Sequence, residues 1–404
     1  MSFKENLVKG KRWLNIACNQ FKLLKEKNRR PLSDSPTGVI IVKIDAIGDF
    51  IIWLDSASQY PLIYKDEPIT LVCNKLCEQI AKHTGLFDKV IAVDSRRFEA
   101  DNKYKKEVLK ELEKQQNRVL IQPVFSRTID MDLISYRIPA KEKIAFKADE
   151  SRMNLSRYMA ISSVKKCADS VYDKLIDATD GWVMEAKRNA EFIRGLGTDF
   201  KAGYSDLPEY NVKEGVIPDK PYVVIFPGSS STKKMWPVNN FAVIIEYIVE
   251  KWDREIYICG SKGESWIAED IIKCITNSDA KNKTHNYCGK TTLLELAEVI
   301  RHAMYMVSND TSGIHFAAAV NTKGICLFGE FAYGRFLPYD IERHDKHNEI
   351  YVCSAGMKCK RCSAGKITAE CKANLMNTGR YLCIDKISVD NVKLAVNKAE
   401  GVTE

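Results

Sequence analysis

Several short clusters of small polar and charged residues, each following an apolar run, have the types and spacing to do chemistry. The richest is Ser308-Asn-Asp-Thr-Ser312, which stands behind the apolar residues 304–307 and ahead of a helix opened by Gly313. Apolar strand, tight loop and helix in succession signal a parallel sheet. The loop then lies at a strand's carboxyl end and a helix N-terminus, where α/β sheets hold phosphorylated ligands. Thr311, Ser312 and Gly313 offer backbone N–H groups and hydroxyls to a diphosphate, and His315 in the first helical turn adds a donor. Asp310, as a carboxylate, only accepts hydrogen bonds, so it suits orienting the loop or accepting from a hydroxyl. A helix merely capped by Asp or Ser accounts for the same residues.

Other clusters repeat this arrangement. After the apolar run 222–226 comes Pro227-Gly-Ser-Ser-Ser-Thr-Lys-Lys-Met-Trp-Pro237. Gly228, Ser229 and Ser230 present donors and Lys234 a cation, as a diphosphate requires. The spacing is not that of a Walker loop; a solvated lysine beside a buried tryptophan is the alternative for Lys234, and its place between a glycine turn and a helix argues against it. Gly260-Ser-Lys-Gly-Glu264 follows an expected strand at 255–259. Near the start, residues 39–44 form an apolar strand leading into Asp45-Ala-Ile-Gly-Asp49 and a helix from Phe50. Gly48 permits a close turn, and Asp49 reads as an ordinary N-cap.

These loops need strands and helices to hold them. Strands are expected at 69–73, 89–93 and 119–122, and helices at 74–84, 102–116 (highly charged and exposed), 185–195 and from Val238. Arg127 is expected to open a helix after 123–126, either meeting an acidic acceptor or lying on the surface. A chain of 404 residues exceeds one ordinary core. The expected partition is a basic segment and linker over 1–37, an α/β domain over 38–200, a linker over 201–220, a second α/β domain over 221–352, and a Cys-rich tail with a final helix over 353–404. Residues 150–182 show no periodicity.

The net charge of +8 is concentrated at one end: residues 1–30 carry nine lysines and arginines against two glutamates, a net +7. That excludes a basic nucleic-acid groove across the fold. Residues 1–30 read as a basic amphipathic helix with Leu7, Leu14, Cys18 and Phe21 near one face. Such a helix suits the anionic inner leaflet of a membrane, and a helix packed on the fold reads equally well. No run of about 18 apolar residues predicts a membrane span, and no secretory signal is apparent. The expectation is a cytoplasmic protein, peripheral at the inner face of the membrane. The odd count of 13 cysteines argues against a disulfide scaffold. Cys359-x-x-Cys362 with Cys371 and Cys383 has ligand types for structural zinc, but its spacing is looser than a zinc ribbon's, and reduced thiols are expected.

Four of these segments, in order, resemble glycosyltransferase family 9, which contains the ADP-heptose:lipopolysaccharide heptosyltransferases. Asp310, His315, Ala317, Ala318 and Ala319 keep that family's spacing, although the glycine stands one place later, with Ser312 before it. Pro227, Gly228, Lys234, Trp236 and Pro237 match a second motif. Glu264 matches a glutamate that meets the donor nucleoside, and Asp49 matches the family's proposed catalytic base, with Lys43 as the loop lysine. Cys288-Gly-Lys-Thr-Thr-Leu-Leu-Glu-Leu296 matches a further segment, read here as a capped helix start.

The resemblance covers about residues 39–395. It implies an α/β GT-B fold, two Rossmann-like domains with a cleft between them, the acceptor on the first and the nucleotide on the second. The implied reaction is inverting, metal-independent transfer of a sugar, a heptose, from a nucleoside-diphosphate donor such as ADP-heptose to a lipid-anchored saccharide of lipopolysaccharide-core type. It implies Asp49 as base, Lys43 as the matching loop lysine and no cofactor beyond the nucleotide sugar; from the residues themselves Lys43 and Arg127 are the acceptor-side candidates, and no Asp-x-Asp metal site is expected. The alternatives are another nucleotide-sugar donor on the same fold, or a non-catalytic nucleotide-sugar-binding relative. No G-x-G-x-x-G follows a strand, which argues against a dehydrogenase.

Overall fold

The structure, a computed structural model, describes residues 32–147, 168–344, 349–359, 362 and 367–402. The expected basic helix of residues 1–30 lies outside them. The described chain divides into two compact units. The first takes in residues up to Phe50, Ser56–Gly181 and Arg188–Phe200; the second takes in Ile51–Asp55, Trp182–Lys187 and the chain from Lys201 onward.

The first unit is built on a parallel sheet of six strands, β1 (Val39–Lys43), β2 (Ile69–Asn74), β3 (Lys89–Val93), β4 (Asn117–Gln122), β5 (Ala140–Phe146) and β6 (Lys174–Ile176). Their order is β3-β2-β1-β4-β5-β6. All five residues of β1 are buried, as expected for a central strand covered on both faces. The strand order reverses between β1 and β4, so the loops after these two strands diverge and leave a crevice at their carboxyl ends.

The second unit repeats the plan with β7 (Tyr222–Phe226), β8 (Glu255–Ile258), β9 (Thr284–Asn286), β10 (Met306–Asn309), β11 (Gly324–Leu327) and β12 (Ile350–Cys353), in the order β12-β11-β10-β7-β8-β9 and again parallel. Its reversal falls between β7 and β10. The core joins Val223, Ile225, Ile256, Ile258 and Val307 of the sheet to Phe241, Ile245 and Ile248 of the helix Val238–Trp252. Trp236 is buried there. Its ring meets Phe241 edge-on at 5.2 Å, and its Nε1 donates to the Ile387 carbonyl at 3.0 Å. Thr292 and Glu295 form the capping box expected at the start of Leu293–Arg301.

Several elements differ from the sequence expectation. The helix after β1 is Ile47–Ala57, beginning before Phe50, so Asp49 lies within its first turn and is not its cap. The expected single helix at 74–84 is a 3-10 turn, Lys75–Cys77, followed by Glu78–His83. The Asn74 side chain accepts from Leu76 N at 3.1 Å and tightens the entry. The charged helix is Asn102–Leu112 and is not simply exposed, since Lys105, Leu109 and Leu112 are buried. Strand β5 escaped notice because Lys141, Glu142 and Lys143 interrupt its apolar pattern. Lys143 is buried all the same, and its Nζ donates to the Ser135 and Tyr136 carbonyls at 2.6 and 3.1 Å. These carbonyls lie in the last turn of Ile129–Arg137, where a helix needs donors.

Candidate active site

In the second unit three loops meet at the carboxyl ends of β7, β8 and β10. Asn309, the last residue of β10, is fully enclosed. Its Nδ2 donates to the Pro227 carbonyl at 2.6 Å and its Oδ1 accepts from Trp236 N at 3.1 Å. One side chain thus ties both ends of the 227–236 loop to the neighbouring strand. Sequence reasoning noted Asn309 only as one of a polar run, and its own segment holds no signal of these two long-range bonds.

Within that loop Gly228 packs against Glu264, and a Cβ at this position would overlap the Glu264 carboxylate. Glu264 Oε2 accepts from Ser261 N and Ser261 Oγ, both at 2.7 Å, which leaves Oε1 turned toward Gly228. Ser229 Oγ is enclosed and has no hydrogen-bond partner among the described residues, whereas Ser230 is exposed. Lys234 ends the 3-10 turn Thr232–Lys234, and its Nζ lies 4.4 Å from the centre of the Phe331 ring. The helix after β10 is Ser312–Ala319. Thr311 caps it, accepting from Gly313 N at 3.3 Å. Gly313 has no room for a Cβ, which would fall 2.7 Å from Met306 Cε.

Asp310 and His315 are both buried. Burial pushes the Asp310 carboxyl up to about 6, while the Lys234 ammonium draws it back. Burial pushes the His315 ring down to about 4, and its Nδ1 pairs with the Tyr339 hydroxyl at 2.8 Å.

In the first unit, Asp49 is partly exposed in the first turn after β1, where a helix favours a negative charge. Lys43, Asp45 and Asp49 all act electrostatically on the buried Cys77 thiol, so the three stand together at this end of the sheet. The two residues expected to face an acceptor do not reach the surface. Lys43 is fully enclosed and its Nζ holds Asp45 Oδ2 at 2.6 Å. Arg127 is also fully enclosed and precedes the helix Ile129–Arg137, whose cap is Thr128. Its guanidinium pairs with Asp132 at 3.4 Å, with Asp169, and with the Phe146 carbonyl at 2.9 Å. Arg127 is thus a structural ion-pair centre rather than a surface arginine. The chain does contain an Asp-x-Asp triplet, Asp130-Met-Asp132, which the sequence reading overlooked. Asp132 is fully enclosed, committed to Arg127 and to the Tyr172 hydroxyl at 2.7 Å. In the tail, Cys371 and Cys383 are buried and Cys359 and Cys362 partly so, all as free thiols. Among the described residues no group of three or more His, Cys, Asp or Glu side chains is arranged to hold a metal ion.

Comparison with known proteins agrees with this architecture. The structure of Escherichia coli ADP-heptose LPS heptosyltransferase II superposes with a TM-score of 0.60 at 15% identity, covering 90% of this chain and 98% of that one. A family 9 glycosyltransferase from Veillonella parvula gives 0.63 at 16% identity, covering 91% and 98%. At such identities the likeness is one of fold, and it defines a GT-B-type α/β protein. Residues 191–368 match the model of glycosyltransferase family 9 (heptosyltransferase). Lipooligosaccharide heptosyltransferase 2 of Haemophilus influenzae is 26% identical over 124 residues, 30% of this chain and 35% of that protein. Lipopolysaccharide heptosyltransferase 3 of E. coli K12 is 32% identical over 108 residues, 27% and 30%. The matched stretch spans about a third of the length of these curated relatives. Over residues 191–368 the chain thus resembles glycosyltransferase family 9, and its fold is that of the E. coli heptosyltransferase II structure.

The two buried groups beside β10 titrate against each other. Between 3.8 and about 6 the folded state keeps a proton on Asp310 that the unfolded chain releases, so this group makes stability fall as pH rises. Between about 4 and 6.5 the unfolded chain binds a proton that folded His315 refuses, so this group makes stability rise with pH. The slopes offset in the parent. Asp310→Asn should therefore uncover stability that climbs through the histidine window, and His315→Gln stability that declines through the carboxyl window, in urea titrations across that range. Identical pH profiles for the parent and both variants would contradict these buried states.

Proposed function

We propose that the protein transfers a sugar, a heptose, from a nucleoside-diphosphate donor, ADP-heptose, to a lipid-anchored saccharide of lipopolysaccharide-core type, with inversion and with no metal or other cofactor. The observation that carries this reading is the convergence of the 227–236 loop, Glu264 and the start of Ser312–Ala319 at the switch point of the second sheet. That is where an open α/β sheet binds a nucleotide. The unpartnered Ser229 hydroxyl is a donor awaiting an acceptor there. The names of the relatives, lipopolysaccharide and lipooligosaccharide heptosyltransferases, supply the sugar and the acceptor class.

In this mechanism the Asp49 carboxylate accepts the proton of the acceptor hydroxyl as that oxygen bonds to the anomeric carbon. The bond from that carbon to the diphosphate oxygen breaks, and its electron pair leaves with the nucleoside diphosphate. Lys234, the N–H groups of residues 228–231 and those of Ser312 and Gly313 meet the charge growing on the leaving group. Glu264 accepts from the ribose hydroxyls, with Ser261 holding its Oε2 and so fixing the carboxylate.

Asp49→Asn should retain ADP binding while transfer falls by roughly 10²-fold or more. Parent-like turnover in this variant would sink the assignment. Lys234→Ala removes a charge-assisted donor and should weaken ADP binding about tenfold or more by calorimetry. Equal affinity would mean that Lys234 only covers the Phe331 ring.

The protein works as a peripheral enzyme at the cytoplasmic face of the membrane. The support is the net +7 of residues 1–30, and no helix among the described residues is long and apolar enough to cross a membrane. Each basic residue near an anionic surface contributes about 1 kcal/mol, and salt screens the attraction. Deleting residues 1–30 should abolish sedimentation with anionic vesicles at low salt and leave turnover on a soluble acceptor fragment nearly unchanged. Undiminished vesicle binding by the truncated protein would show that the segment is not the anchor.

A further inference from the structure

The helix Ile47–Ala57 carries Asp49 in its first turn, and its residues Ile51–Asp55 belong to the second compact unit. There they enter a set of hydrogen bonds and an ion pair with the segment 201–205 and Arg343. Asp55 is buried, yet both of its carboxylate oxygens are engaged. Oδ1 accepts from Arg343 Nη2 at 2.6 Å and Oδ2 from Gly203 N at 2.7 Å. Ser205 Oγ donates to the Ile52 carbonyl at 3.1 Å and accepts from Asp55 N at 3.2 Å, gripping the helix backbone one turn apart. The segment that supplies Gly203 and Ser205 is itself held. Ala202 O accepts from the N–H groups of Glu342 and Arg343 at 2.9 and 2.8 Å, Ala202 N donates to Glu342 Oε2 at 2.9 Å, and Arg343 Nη1 donates to the Lys201 carbonyl at 2.9 Å. Gly203 lies against the guanidinium: a Cβ there would fall 2.5 Å from Arg343 Nη2 and push it aside.

We infer that Asp55 and Arg343 are positioning residues for the proposed transfer: together with the 201–205 segment they clamp the helix whose first turn carries Asp49. The inference rests on the reading of Asp49 as the base. Six residues of helix separate the two aspartates, an axial distance of about 9 Å. Over that length a helix moves as one rod, so a slide or rotation allowed at Asp55 arrives undiminished at Asp49. A base displaced by about 1 Å from its proton can lose roughly 10²-fold in rate. The clamp has the chemistry to prevent this. The Asp55 charge is out of water, its two oxygens are met by a fixed backbone donor and a guanidinium, and neither bond can be exchanged for water without leaving the other strained.

The test compares Arg343→Ala, Gly203→Ala and Arg343→Lys in the full chain, by steady-state transfer, ADP titration and thermal melting. Arg343→Ala and Gly203→Ala should lower kcat by about tenfold or more while ADP affinity and acceptor KM stay near the parent's. Arg343→Lys should recover part of the loss, because one ammonium can reach Asp55 but cannot also hold the Lys201 carbonyl. Asp55→Asn combined with Arg343→Ala should be no slower than the worse single variant, as two halves of one device. Parent-like kcat in both Arg343→Ala and Gly203→Ala would overturn the inference, as would a loss of kcat that merely tracks the fraction unfolded. If Arg343→Ala does not fold, Gly203→Ala decides, since it keeps both charges and only pushes the guanidinium aside. Asp49→Asn is assayed alongside. Full turnover there overturns the base assignment and this inference with it, whereas an inactive Asp49→Asn beside fully active clamp variants overturns the clamp alone.

Discussion

The amide side chain of Asn309 makes two hydrogen bonds on which the candidate donor site depends. A long loop after a central strand has no ladder of its own to hold it, and its carbonyls and amides must find partners. Here Asn309, at the end of the adjacent strand, takes one donor and one acceptor from opposite ends of the 227–236 loop. The loop is thereby closed against β10, so Lys234 and the serines stand beside the start of Ser312–Ala319. Only an amide can do this. An aspartate would lose the bond to the Pro227 carbonyl, and a leucine of similar size would lose both in a place without water.

Around that closure the local medium is of low polarity. The Asp310 carboxyl and the His315 ring both lean toward their neutral forms for the same reason, loss of water. In so dry a region the charges of Lys234 and Asp310 are little screened by solvent. The hydrogen bond between His315 and Tyr339 belongs to this dry region and fixes the ring that follows the 308–312 loop.

Much of this was legible in the chain. The run at 222–226 is wholly apolar, and that at 39–44 is so but for Lys43, because both faces of a central parallel strand are covered. The glycine and serine loops announce themselves by composition, and the family-like spacing of Asp49, Lys234, Glu264, Asp310 and His315 picked them out. What escaped was set by neighbours distant in sequence. Lys143 sits in a buried strand only because the last carbonyls of Ile129–Arg137 take its protons. Arg127 is enclosed because Asp132 and Asp169 arrive beside it, and nothing within its own segment shows that. Asn309 carries no local mark of its two long-range bonds. The early start of Ile47–Ala57, which moves Asp49 from the cap into the first turn, depends on the Phe50 N–H reaching the Ala46 carbonyl at 3.0 Å.

The close approach of Gly228 and Glu264 has a consequence for how such a protein can vary. The space that a side chain at 228 would need is the space the Glu264 carboxylate occupies, so a larger residue at 228 requires the glutamate to move or shorten. Across relatives the two sites should drift as a pair: an alanine at the first accompanied by a shorter acid or an amide with another rotamer at the second. Lineages that keep the glutamate should keep the glycine. A pattern of co-variation of this kind would come from crowding between two side-chain volumes, independently of any ligand either residue touches.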